Sequence, residues 1–72
     1  MLGNNKLTEI PSEIGLLNNL FSLDLSGNQL TGLPIKIRLL DNLIELDLRG
    51  NPIPQEKYEK IKKLLPNCRI YF

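Results

Sequence analysis

A shift of 23 residues lays this chain over itself. Leu20, Leu23, Leu25, Asn28, Leu30, Leu33, Ile37 and Leu40 are met on one side by Leu43, Leu46, Leu48, Asn51 and Ile53. On the other side they are met by Leu2, Asn5, Leu7, Ile10, Ile14 and Leu17. A unit this short cannot bury its apolar face alone, so such a period predicts copies of one unit stacked side by side, each covering the next. Sixteen Leu and eight Ile among 72 residues, with no Val, Ala, Trp or His, suit a few near-identical core layers better than an irregular interior. The length permits one domain, and a chain of this size buries only about 60% of its unfolded surface, so its stability is expected to be marginal.

The unit reads LxxLxLxxNxLxxLPxxIxxLxx, with Pro11 and Pro34 after the second leucine group. This spacing resembles the leucine-rich-repeat family. The GNP turn at Gly50 to Pro52, the charged segment after it and the ending LLPNCRIYF are more narrowly similar to the C-terminal end of leucine-rich-repeat proteins of leptospiral bacteria. The resemblance implies an α/β fold: a short right-handed solenoid with a parallel sheet on its concave side, a mostly non-helical convex side and a helical C-terminal cap. It also implies a bacterial protein without enzymatic activity that binds a partner protein, host or bacterial.

In order, residues 1–19 form a partial repeat, 20–42 a full repeat, 43–53 the last repeat and 54–72 a cap made of a helix and an edge strand. In residues 21–25 apolar and polar positions alternate, which predicts a short strand with Leu23 and Leu25 facing inward and Ser22, Asp24 and Ser26 outward. It pairs in parallel with a strand over residues 44–48. Gly27 and Asn28 then turn the chain, and Asn5, Asn28 and Asn51 are expected to stack as a ladder of buried amides. Losing one would strand polar groups at roughly 1 to 3 kcal/mol. The return leg over residues 30–42 is expected to be extended or 3₁₀-like, with Leu30, Leu33, Ile37 and Leu40 in the core. Tyr58, Ile61, Leu64 and Leu65 share a face at helical spacing and predict one helix of about ten residues between Pro54 and Pro66.

The candidate partner-binding residues are those facing outward from the sheet: Ser22 beside Glu45, Asp24 beside Asp47, and Ser26 beside Arg49. Regularly spaced side chains on an open sheet make extended binding surfaces, although the same pattern is also the polar face of any soluble sheet. Phe21, at a strand entrance, is a candidate aromatic anchor. A second reading is structural. Leu2, Leu7, Ile10 and Ile14 match an inner repeat rather than a polar cap, so an uncapped N-terminal edge is expected to drive homo-oligomerisation.

Asp24 and Asp47 are the one acidic pair that suggests a metal or general acid–base chemistry, but Arg49 lies close enough to offset their repulsion. No His and no Gly-rich phosphate loop accompany them, so neither catalytic residues, metal ligands nor a cofactor are expected. Residues 1–54 carry four cations against six carboxylates and residues 55–72 five against two, so an acidic body meets a basic end. Lys57, Lys60, Lys62 and Lys63 are interleaved with Glu56 and Glu59, which reads as a solvated helix face with local ion pairs rather than a nucleic-acid site. Cys68 reads as a small core group. No apolar run reaches the roughly 18 residues a membrane span needs, and no leader precedes the repeat. As it stands this points to the cytoplasm by default, or to a secreted or surface protein if the resemblance holds and the chain is a mature fragment.

Overall fold

Three prolines start the three short 3₁₀ helices found among the described residues. Pro11, Pro34 and Pro54 hold φ at −65°, −68° and −59° with extended ψ. Each carbonyl accepts a hydrogen bond from the amide three residues on, that of Ile14, Ile37 and Lys57, at 3.0, 3.0 and 2.9 Å. A ring that fixes φ near −65° removes backbone freedom in advance, so a short helix can form without a side-chain cap. The helices span Ser12–Leu16, Ile35–Leu39 and Gln55–Lys57. The computed structural model describes residues 3–72, so Leu2 lies outside the described residues.

Strands β1 (Ser22–Asp24), β2 (Glu45–Asp47) and β3 (Arg69–Tyr71) form one parallel sheet in the order β1-β2-β3, with Leu23 beside Leu46 and Leu46 beside Ile70. Pairing runs past the three-residue strands: the Leu25 amide donates to the Asp47 carbonyl at 2.8 Å, and the Leu48 amide donates to the Tyr71 carbonyl at 2.7 Å. Parallel neighbours need a crossover: from β1 to β2 it is the return leg of the second repeat, and from β2 to β3 it carries the helical residues 55–64. The first two 3₁₀ helices pack against each other, as the strands do, which leaves two layers with leucine and isoleucine between them. Leu23, Leu25, Leu30, Ile37, Leu40, Leu46 and Leu48 are inaccessible to solvent.

The turn at the same place in each repeat carries a left-handed residue. Asn4, Gly27 and Gly50, spaced by the repeat, have φ of 61°, 69° and 78°. Gly suits this conformation and Asn tolerates it. At Gly27 a second constraint applies, because a Cβ there would collide with the Asn4 side chain.

The asparagine after each of these residues carries the polar ladder. Asn28 is buried, and its Oδ1 accepts from the amides of Asn5 and Leu7 at 2.9 and 3.0 Å while its Nδ2 donates to the Leu25 carbonyl at 2.9 Å. Asn51 repeats the pattern, accepting from the Leu30 amide at 3.0 Å and donating to the carbonyls of Leu25 and Leu48 at 2.8 and 2.9 Å. Asn5 departs from expectation: it is exposed, since among the described residues a neighbouring turn covers it on one side only. Leu33, expected in the core, is only half-buried, and Leu17 differs from its repeat equivalent. It is 47% exposed where Leu40, its equivalent one repeat on, is 1% exposed.

Residues 54–72 supply β3, beside β2, and a helical segment that packs on the second 3₁₀ helix. The expected ten-residue helix has the right length but two windings: Gln55–Lys57 is 3₁₀ and Tyr58–Leu64 is the α-helix α1. The Pro54 carbonyl takes the Lys57 amide and so tightens the first turn. Ile61 and Leu65 enter the core, and the Tyr58 ring stacks on Phe72 with centroids 3.9 Å apart and planes at 17°.

Candidate functional site

Alternation along a strand sends every second side chain to each face, so the residues flanking Leu23, Leu46 and Ile70 all emerge on one side of the sheet. The register sets Ser22 beside Glu45 and Glu45 beside Arg69, then Asp24 beside Asp47 and Asp47 beside Tyr71. Ser22, Asp24, Glu45, Asp47, Arg49 and Tyr71 line an open depression of about 460 Å³ whose floor includes Leu23. Five of the six expected binding residues are gathered there.

Asp24 and Asp47 are equivalent by repeat but differently held. Asp24 Oδ1 accepts from the Ser26 hydroxyl at 2.6 Å and from the Ser26 amide at 2.9 Å. These two bonds, the hydroxyl's first, hold its carboxyl below the ordinary aspartate range. Ser26, the sixth expected residue, is thereby turned to its own strand's Asp24 and supports the site from its edge.

Asp47 is bound by Arg49. Nε donates to Oδ1 at 3.0 Å and an Nη to Oδ2 at 2.8 Å, and the Arg49 amide adds a third bond at 3.0 Å. The guanidinium hydrogen bond is the main reason Asp47 titrates below its usual range, and it raises Arg49 in turn. A two-pronged pair of this kind fixes direction as well as charge. Arg49 also lies 5.6 Å from the centroid of the Tyr71 ring, within cation–π range. The acidic pair is therefore no bare dicarboxylate: Asp47 is paired with a cation, and the charge of Asp24 is stabilised by hydroxyl and amide donors.

Arg69 and Tyr71 belong to this face and were missed as site residues. The alternation of CRIYF already separates them from Cys68, Ile70 and Phe72, but a strand signal alone does not say that β3 docks beside β2. Phe21 is 66% exposed and Ile44, its repeat equivalent, 61% exposed; the Ile44 amide donates to the Phe21 carbonyl at 2.8 Å. An apolar pair thus borders the polar grid at its strand-entrance rim.

The residues expected at a self-associating edge are distributed otherwise. Leu2 lies outside the described residues, Leu7 is half-buried, and Ile10 and Ile14 belong to the core at 5% and 6% exposure. The first and second 3₁₀ helices pack against each other on this side, and among the described residues the first repeat exposes Leu16 and Leu17. Cys68 is half-buried against the core, and burial, with a smaller contribution from Glu45, raises its thiol above the ordinary value. Among the helix charges, Lys62 pairs with Glu59 at 3.5 Å and Lys57 Nζ donates to the Thr31 carbonyl at 3.0 Å. No helix among the described residues is long and apolar enough to cross a membrane.

Comparison with known proteins agrees with this geometry. A leucine-rich-repeat family pattern matches residues 1–53 and a second one residues 42–68. The solved structure of a leucine-rich-repeat protein of Leptospira interrogans is 51% identical and superposes with a TM-score of 0.91 over 93% of this chain. The match spans 17% of that protein's chain. No curated protein matches in sequence. With its repeat matched over residues 1–53 and its backbone shared with a leptospiral protein, the chain belongs to the leucine-rich-repeat family.

Proposed function

We propose that this chain binds a partner protein through the exposed face of its sheet, at Ser22, Asp24, Ser26, Glu45, Asp47 and Arg49, extended by Arg69 and Tyr71. Leucine-rich-repeat domains generally mediate protein–protein interaction. In this reading the stack is a right-handed solenoid with the sheet on its concave side, residues 54–72 are its cap, and its role is non-enzymatic. The observation that carries the reading is the Asp47–Arg49–Tyr71 arrangement. Its side chains are already held in place by a two-pronged ion pair and a ring contact, so binding costs little further ordering.

Peptides selected from a random display library on the wild-type chain provide the test. Asp24→Lys with Asp47→Lys should weaken the selected binders at least about tenfold, the loss of one well-placed charge contact, while circular dichroism keeps its native form. Unchanged affinity in the folded double variant removes the sheet face as the site.

A second reading keeps the self-associating edge, because Leu16 is 76% exposed and Leu17 47% exposed at the end where β1 has no neighbour among the described residues. Light scattering over a concentration series decides it: a mass that rises with concentration and falls back on Leu16→Lys supports it, and a constant monomer mass removes it.

A further inference from the structure

A groove far from the sheet face runs between the second 3₁₀ helix and α1. Its wall and floor are Leu33, Ile35, Ile61 and Leu64, and its volume is about 330 Å³. Ile35 is 63% exposed there. Lys57 and Lys60, one helical turn apart, stand along the α1 side.

The repeat itself shows that this groove is not a by-product of folding. One repeat earlier the positions of Gly32 and Ile35 hold Glu9 and Ser12, and that unit folds to the same 3₁₀ helix behind Pro11. The fold therefore tolerates Glu and Ser at these positions, yet the second repeat has lost the carboxylate side chain and gained an exposed apolar one. Gly32 has ordinary backbone angles, and a Cβ there would meet only Lys57 Nζ at 3.5 Å and Cδ at 4.0 Å. Its missing side chain opens the groove beside the lysine rather than serving a strained turn.

Charge selects the occupant. Lys60 has no ion pair among the described residues, and Lys57 meets only a backbone carbonyl, whereas Glu59 is already paired with Lys62. An apolar trough with unpaired ammonium groups on one side matches a peptide with apolar residues on one face and carboxylates along one edge. We propose that this groove binds an acidic, apolar peptide segment of a partner protein, at a site separate from the sheet face.

The probe is the synthetic peptide acetyl-Asp-Leu-Leu-Glu-Phe-Leu-amide, titrated into the ¹⁵N-labelled chain beside a control in which both acids are lysine. The acidic peptide should move the amide signals of Gly32, Ile35, Lys57 and Lys60 and leave those of Ser22 and Asp47 in place; the lysine peptide should move neither set. Ile35→Ser restores the residue of the first repeat and should weaken binding about tenfold or more, the share of one buried aliphatic side chain. Gly32→Glu and Lys60→Glu should weaken it as well, and all three variants should keep the native spectrum. Shifts confined to the sheet face, equal binding of the lysine peptide, or no binding by either peptide would overturn the proposal. So would shifts in the groove that follow protein concentration without peptide, which would assign it to a second copy of the chain.

Discussion

Leu17 and Leu40 are the same letter at the same place in the repeat, yet one is 47% exposed and the other 1%. Asn5 and Asn28 make the same contrast among polar residues, exposed against buried. The two regions share pattern, proline and turn; among the described residues they differ in having one neighbouring layer or two. Leu40 lies between the first repeat and the C-terminal segment, where the second 3₁₀ helix packs on the first and on α1. Among the described residues Leu17 has the second repeat on one side alone. At these two positions burial follows the neighbours, and the repeat letter states only what can be buried.

The largest effect expected from this contrast is on stability. Leu40→Ala should cost about 2 to 5 kcal/mol, the range for emptying a closed aliphatic site. Leu17→Ala removes a side chain already half in water and should cost less than about 1 kcal/mol. Urea unfolding followed by circular dichroism measures both. For a chain this small the first value approaches the whole stability, so Leu40→Val serves as a milder companion if Leu40→Ala does not fold. Equal losses at Leu17 and Leu40 would break the comparison.

The asparagine ladder should show the same asymmetry at smaller amplitude. Asn28→Ala leaves the amides of Asn5 and Leu7 without their acceptor, at about 1 to 3 kcal/mol, while the Leu25 carbonyl keeps its bond from Asn51. Asn5→Ala should fall within about 0.5 kcal/mol of wild type, as for most exposed substitutions. Hydrogen exchange sharpens the result, because the Leu7 amide should lose protection in the first variant and keep it in the second.

These contrasts also mark how far the sequence could be read. The strands, their parallel register and the inward leucines followed from alternation and the repeat period, both local properties of the chain. The outward grid of Ser22, Asp24, Glu45, Asp47 and Arg49 followed from the same alternation. What was not legible depended on contacts between layers. Ile10 and Ile14 read as edge residues because the pattern shows only which positions are apolar, yet they are 5% and 6% exposed. Arg69 and Tyr71 could not be added to the grid until β3 was seen to dock on β2. The groove at Gly32 and Ile35 was invisible for the opposite reason. A repeat is recognised by what its copies share, and this feature lies where they differ.

The smallest effect separates the two sheet aspartates. Both titrate below the ordinary value of 3.8, Asp24 mainly through the Ser26 hydroxyl and Asp47 mainly through Arg49. A carboxyl whose folded pKa lies below its unfolded one contributes stability that is present above the unfolded pKa, near 3.8, and is lost as pH falls toward the folded value. The unfolded chain binds more protons in that window, so stability should decline with acidification below about pH 4. Both groups are well solvated and the decline should be shallow. Salt tells the two apart. Arg49→Ala removes the part of the acid response that added salt suppresses, since an exposed ion pair is screened, whereas Ser26→Ala removes a part that salt leaves in place. Urea midpoints at pH 3 and pH 6, each with and without 1 M sodium chloride, give the four values needed. If the two variants respond to salt alike, Asp24 and Asp47 are held by the same force and the distinction between their anchors is wrong.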